Sequence, residues 1–221
     1  MIKLSKLTEP TVLVTNGAAW LADLLAAGKN ANDGLKSKYR HVDIKRVLTL
    51  ETNGKCAYCE AKLKHVHHGD VEHIYPKSLD PKKTFKWDNL TLACELCNQN
   101  KSNDDPTAAQ IIDPYITDPD DHIVFAGPVA GHCGSIPGLS TIEIIGLNRP
   151  DLIEMRTEHA EKILLIFQQL ADKTIPMATR KAIYRNLKKR ELSPVGAFSA
   201  MSTSIMRGLE HKLEKGIKTK S

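Results

Sequence analysis

The chain has 221 residues, 41% of them hydrophobic but only 5% aromatic, so aliphatic side chains must fill one core or two small ones. No run reads as approaching the roughly 20 apolar residues of a membrane span. Met1 to Pro10 carries Lys3 and Lys6 and lacks the apolar stretch of a signal peptide, so a cytoplasmic protein with no membrane partner is expected.

The net charge of +5 is unevenly spread: residues 173–221 hold 12 Lys and Arg against 3 Asp and Glu, and the remainder holds 19 against 23. The basic end is a candidate phosphate-binding surface, although a solvated helix face has the same composition. Four segments are expected: a helical N-terminal part (1–52), a zinc core (53–105), a loop and β-hairpin extension (106–150) and a basic helical region (151–221).

Ala18 to Ala27 is helix-prone, with Thr15-Asn16 as a cap and Gly28 as a stop. Asn30 to Lys38 is polar and reads as loop. His41 to Glu51 reads as a helix, which Asn53-Gly54 ends. Past the central segment, Ile111 to Asp121 reads as extended or loop. His122 to Ala126 and Thr141 to Ile145 are β-prone and suggest a hairpin. Asn148-Arg149-Pro150-Asp151 opens a long helix, with Pro150 in its first turn. Ala178 to Leu192 and Phe198 to Lys215 read as two further helices, the first of them basic.

Four of the five cysteines fall in two C-x-x-C pairs, Cys56/Cys59 and Cys94/Cys97, with 34 residues between them. In a reducing compartment such pairs read as metal ligands rather than disulfides. A four-thiolate set closes the tetrahedral shell of zinc, so this Zn²⁺ is expected to be structural and the chemistry must lie elsewhere. Cys133, the fifth, reads as a surface or packing residue.

Between the pairs, Gly69-Asp-Val-Glu-His-Ile-Tyr-Pro-Lys77 brings together Asp70, Glu72 and His73. On a strand Asp70 and Glu72 share one face and His73 takes the other, so a bend at His73 is needed to join them. Leu90 to Ala93 is a second strand candidate, preceded by Asn89. Cys97-Asn-Gln-Asn-Lys101 opens a helix on which Asn98 and Lys101 share a face. The order is knuckle, strand, loop, strand, knuckle and helix, an α+β unit of ββα type built on zinc. His65, His67 and His68 form a second cluster, read as a polar loop beside this site.

Glu72-His73, Asn89 in W-D-N-L and C-x-x-C-N-x-x-K at 94–101 together resemble the HNH endonuclease motif. Asn98 stands where the third letter is often His. The D-V-E-H-I-Y-P stretch at 70–76 is similar to D-V-D-H-I-V-P in the HNH domain of RNA-guided CRISPR nucleases, with Glu72 in place of the ligand Asp. The resemblance implies a zinc-anchored, treble-clef-like ββα-metal core surrounded by helices. It also implies a nuclease that hydrolyses phosphodiester bonds. A histidine has the right ordinary pKa to take a proton near neutral pH, which makes His73 the expected general base. Hard cations prefer oxygen ligands, so a catalytic Mg²⁺ or Mn²⁺ is expected on Glu72 and Asn98, with Asp70 in reserve. Asn89 is expected to hold the His73 ring. Lys101 is expected to meet a phosphate or a carboxylate.

Tyr39-Arg-His-Val-Asp-Ile-Lys45, G-K-C-A-Y-C-E at 54–60, Ile112-Asp-Pro-Tyr115 and Gly146-Leu-Asn-Arg-Pro150 extend the resemblance to the Septu-type (PtuB-like) defence nucleases. That family implies an anti-phage effector acting on nucleic acid, DNA before RNA, beside an ABC/SMC-like partner ATPase. In some systems a retron reverse transcriptase and its DNA–RNA hybrid are added.

Overall fold

The computed structural model describes residues 1–63 and 69–218; the His65, His67 and His68 cluster lies outside them. Helix α1 (Thr11–Ala27) begins earlier than its sequence suggests, because the Pro10 carbonyl already accepts the N–H groups of Leu13 and Val14. Thr15 and Asn16 therefore lie inside the helix, and Asn16 Nδ2 bonds back to Val12 O at 2.8 Å. With the short turn that follows, Thr11–Asn30 is long and apolar enough to cross a membrane by length and composition, contrary to the expectation from sequence. In this fold Leu13, Gly17 and Leu24 are its buried residues.

Within the expected loop 30–38, Asn32 caps a single helical turn, α2 (Asp33–Lys36), by accepting Leu35 N–H at 2.8 Å. Helix α3 (Val42–Glu51) buries Ile44 and Leu48, and the left-handed backbone of Asn53 and Gly54 ends it.

Strands β1 (Asp70–His73) and β2 (Leu90–Ala93) pair antiparallel, with Asp70 opposite Ala93 and His73 opposite Leu90. Gly69 opens β1 with φ +68°, and a Cβ there would stand 2.7 Å from Leu63 Cδ1, so only glycine fits. Helix α4 (Glu95–Lys101) follows β2 directly and completes the ββα unit.

The second hairpin joins β3 (Val124–Ala126) to β4 (Val129–Gly131), not to Thr141–Ile145. That β-branched run is instead the end of α5 (Ile136–Ile145). Ser135 caps this helix through Gly138 N–H at 3.1 Å, Pro137 sits in its first turn, and Gly146 in the left-handed region closes it. Good caps at both ends outweigh the weak strand preference of the middle.

Helix α6 (Pro150–Ala171) starts where expected and is followed by α7 (Met177–Arg190) and α8 (Ser199–Leu209). The first half of α6 joins a core that runs from Leu13 and Leu48 through Leu90, Leu92 and Ile145 to Leu152. Its second half, through Ile163 and Leu170, joins a smaller cluster with Leu187, Met206 and Ile217. Each fully buried side chain of this size contributes roughly 1.5–3 kcal/mol.

Glu60 ties distant parts of the chain together. It is 2% exposed and follows Cys59 with φ 64°. Its carboxylate receives the Met1 amino group at 2.9 Å, Lys55 Nζ at 2.8 Å, and Ser199 Oγ at 2.7 Å and N–H at 3.1 Å. Burial pushes its pKa up, but the Met1 ammonium and Lys55 outweigh this and hold it at about 2.

Candidate active site

The four sulfurs of Cys56, Cys59, Cys94 and Cys97 lie within 4.8 Å of one another, and Cys59 and Cys94 are 3.9 Å apart. A tetrahedral zinc site with Zn–S bonds of about 2.3 Å has S···S edges near 3.8 Å, so the donor set fits the ion. Cys94 also caps α4, its sulfur accepting Cys97 N–H at 3.4 Å. Arg149 Nη1 points at Cys97 Sγ at 3.6 Å. Burial works against the Arg149 charge, but the sulfurs of Cys97 and Cys59 more than compensate and raise its pKa.

Arg156, one helical stretch further on, is 1% exposed. It donates to Leu147 O at 2.6 Å and stacks near Phe125 and Phe198, while Nε and Nη2 find no partner among the described residues. Burial lowers its pKa to about 10 against the opposing pull of Cys59 and Glu60. Four thiolates holding a Zn²⁺ ion would leave a net negative charge beside Arg149, whose Nη1 lies 3.6 Å from Cys97 Sγ. Cys133 is exposed, with a left-handed backbone, and lies outside this cluster.

The zinc cage carries the ββα unit, and β1 faces α4 through two side-chain pairs. Asn98 Nδ2 donates to Asp70 Oδ2 at 3.3 Å. Lys101 Nζ sits 2.9 Å from Glu72 Oε1 and donates to His73 O at 3.0 Å. Two residues apart on the strand meet three apart on the helix, so the expected sharing of faces is realised on both elements. Lys101 therefore meets a carboxylate. The Lys101 ion pair leaves Glu72 Oε1 without a well-directed hydrogen bond, and burial raises the Glu72 pKa despite Lys101. Among the described residues only the four cysteines gather closely enough to be grouped as metal ligands; the Asp70 and Glu72 carboxylates lie against Asn98 and Lys101.

His73 turns to the other side of β1. Its ring lies edge-on to Tyr39, with centroids 4.5 Å apart. Its Nε2 is 3.0 Å from Thr84 O. A carbonyl only accepts, so Nε2 carries the proton and Nδ1 keeps its lone pair. Burial, Lys77 and, to a lesser degree, Lys101 and Arg40 lower the His73 pKa to about 4 against the opposing Thr84 carbonyl. With that shift the ring is neutral at pH 7.

Asn89 does not hold that ring, as its sequence position suggested. Its side chain accepts Tyr75 N–H at 2.7 Å and donates to Tyr75 O at 2.9 Å and Lys83 O at 3.1 Å. It thereby closes the loop between the strands and sets Thr84, the next residue after Lys83, against the histidine. Tyr39, Lys77, Thr84, Arg149 and Arg156 were not picked out as functional. Thr84 acts through its main chain, which no residue type announces. Tyr39 and Arg149 fall in stretches that carry the wider resemblance.

The sequence profile of the HNH endonuclease family matches residues 56–104, the segment from the first knuckle to the end of α4. Over 174 residues, 74% of this chain, the protein is 31% identical to the Septu protein PtuB of Bacillus thuringiensis, and it spans 64% of that relative's length. It is 26% identical to the Septu protein PtuB of Bacillus mycoides (strain KBAB4) over 230 residues, covering 87% of this chain and 77% of that one. It is 30% identical to the Retron Vc95 putative HNH endonuclease of Vibrio cholerae serotype O1 biovar El Tor, over 60% of this chain and 74% of that one. Motif, ββα geometry and relatives agree, and the chain belongs to the HNH endonuclease family.

Proposed function

We propose that this protein is a metal-dependent endonuclease that hydrolyses phosphodiester bonds, in DNA before RNA, as the effector of an anti-phage defence system. The observation that carries this reading is a buried, neutral His73 whose Nε2–H is spent on Thr84 O. That leaves Nδ1 to take the proton of an attacking water. Asp70, Glu72 and the Asn98 amide oxygen would hold a Mg²⁺ or Mn²⁺ ion. When bound, such a cation neutralises charge on the phosphate and on the leaving oxygen. Lys101 anchors Glu72 and donates to the main-chain carbonyl of His73. Asn89 acts at one remove, by holding the loop that carries the Thr84 carbonyl. The zinc thiolates keep the two halves of the unit in register.

The Septu and retron relatives support an anti-phage setting. The working partner is then an ABC/SMC-like ATPase, joined in retron systems by a reverse transcriptase and its DNA–RNA hybrid. Four reduced cysteines suit a cytoplasmic location.

The test incubates purified protein, alone and with its partner ATPase, with plasmid DNA and with tRNA, in Mg²⁺, Mn²⁺ or EDTA. Cleavage that needs the divalent ion and falls by ~10²–10⁴-fold in His73→Ala supports the reading. Inactivity of the wild type with the ATPase present would make it a zinc-stabilised binding module. Cleavage of tRNA alone would make it a ribonuclease.

A further inference from the structure

We infer that Arg40 and Lys77 form an anion site that receives the phosphodiester beside His73, with Tyr39 as its buried platform. The inference rests on the nuclease reading for the identity of the anion, a nucleic-acid phosphate. Its geometry is independent of that reading.

Tyr39 is 3% exposed and lies edge-on to the His73 ring at 4.5 Å. Two cations from different parts of the chain converge on it. Lys77, from the turn after β1, donates to the Tyr39 hydroxyl at 2.9 Å and holds its ammonium 4.4 Å from the ring centroid. Arg40, the next residue after Tyr39, places its guanidinium 5.5 Å from the same centroid. Arg40 is exposed and Lys77 half-buried, so both can reach a ligand arriving from solvent.

Neither cation makes an ion pair with a carboxylate among the described residues. Lys101, by contrast, is committed to Glu72 at 2.9 Å. The charges acting most strongly on the His73 ring are those of Lys77, Lys101 and Arg40. Two unpaired cations focused on one imidazole make a position where an anion is favoured and another cation is not. Arginine supplies a planar fork and lysine a point charge, a pairing that suits the two non-bridging oxygens of one phosphate. The cation–π contacts with Tyr39 keep both heads from swinging into solvent before the ligand arrives. Arg40 and Lys77 are therefore assigned to binding the phosphate, and Tyr39 to positioning them and the histidine.

The test measures binding of a fluorescent duplex oligonucleotide to zinc-loaded protein with no Mg²⁺ or Mn²⁺ added, across a salt series. Wild type, Arg40→Gln, Lys77→Gln and Lys77→Arg are compared, with Lys29→Gln as an exposed control. Glutamine at 77 can still donate to Tyr39, so it removes charge and spares the packing. The expected result is a Kd raised several-fold in each Gln variant and a salt slope shallower by about one. Lys77→Arg restores both, and Lys29→Gln binds as wild type. Unchanged Kd and slope in both Gln variants, with unchanged melting temperatures, would overturn the assignment. If Lys77→Gln does not fold, Arg40→Gln decides alone by the same readout. Wild-type protein that binds in this way but never cleaves would sink the nuclease reading and leave the anion site standing. Cleavage with no effect of either Gln variant on binding would do the reverse.

Discussion

His73 shows how little of a buried histidine's environment is written next to the residue itself. Its neighbours in sequence are Glu72 and Ile74, yet its ring answers to Tyr39, to Lys77 and to the main chain of Thr84. The motif spacing was enough to single out Asp70, Glu72, His73, Asn89, Asn98 and Lys101. It was not enough to say what Asn89 does, because an amide can bond a ring or a loop equally well and only the fold decides. Here it bonds the loop three times. Asn89→Ala leaves two main-chain carbonyls and one N–H without their partner, and the loss of stability expected is ~1–3 kcal/mol per group left buried and unpaired. A lower urea midpoint, together with cleavage reduced by at least tenfold, is the predicted outcome. Asn89→Asp should recover part of the stability, since its carboxylate still accepts from Tyr75 N–H. Full stability in Asn89→Ala would show that the loop is held by other contacts.

At the level of elements, the two cysteine pairs made β1, β2 and α4 readable, because a metal cage fixes where two segments must meet whatever their propensities. Elements without such an anchor were harder to read. Thr141 to Ile145 has the composition of a strand, and capping by Ser135 and Gly146 makes it helical. The start of α1 carries no recognisable cap, because the Pro10 carbonyl accepts from its first turn.

The cage also depends on an element far away in sequence, since Arg149 at the start of α6 bonds Cys97 Sγ. A donor on a thiolate drains charge from the sulfur and makes it a poorer nucleophile and a slower leaving ligand. Arg149→Leu is therefore expected to release zinc to a chromogenic chelator ~10–100-fold faster than wild type, in line with the usual effect of losing such partners. Release at the wild-type rate would show that the contact is incidental. Full chelation should expose the amides of β1, β2 and α4 to hydrogen exchange together, because the two cysteine pairs that a bound ion would join flank all three.

For the whole molecule the deciding group is Glu60. The long helices of the C-terminal part could be predicted from periodicity, but their attachment to the zinc core could not. One such attachment is a buried carboxylate whose partners lie up to 140 residues away. Removing one member of a buried charge pair usually costs about 3–5 kcal/mol, because the other is left unpaired. Glu60→Gln, which strands Lys55, is predicted to lose stability on that scale.

The pH dependence has a definite sign. The folded pKa of about 2 lies below the ordinary 4.5, so the unfolded chain takes up the proton first. The contribution is whole above pH 4.5 and drains away as the pH falls from there toward 2. Wild type should lose urea resistance across that window more steeply than Glu60→Gln. Parallel curves would show that the carboxylate is not held by its partners.

The same carboxylate limits how this nuclease can be dissected or shuffled. The basic face of α7 invites a deletion from Lys173 onward to ask whether it touches nucleic acid. That cut would also remove Ser199, whose hydroxyl and N–H both bond Glu60, one residue past a zinc ligand. A truncated protein that lost binding would then report a disturbed knuckle as readily as a missing surface. Charge reversals at Lys188, Lys189 and Arg190, all exposed on α7, leave the Glu60 cluster untouched and ask the question cleanly. By the same reasoning the ββα unit is not a portable cartridge. Grafted into another protein without α8, it would arrive with a buried negative charge stripped of three donors, Ser199 Oγ, Ser199 N–H and Ala200 N–H.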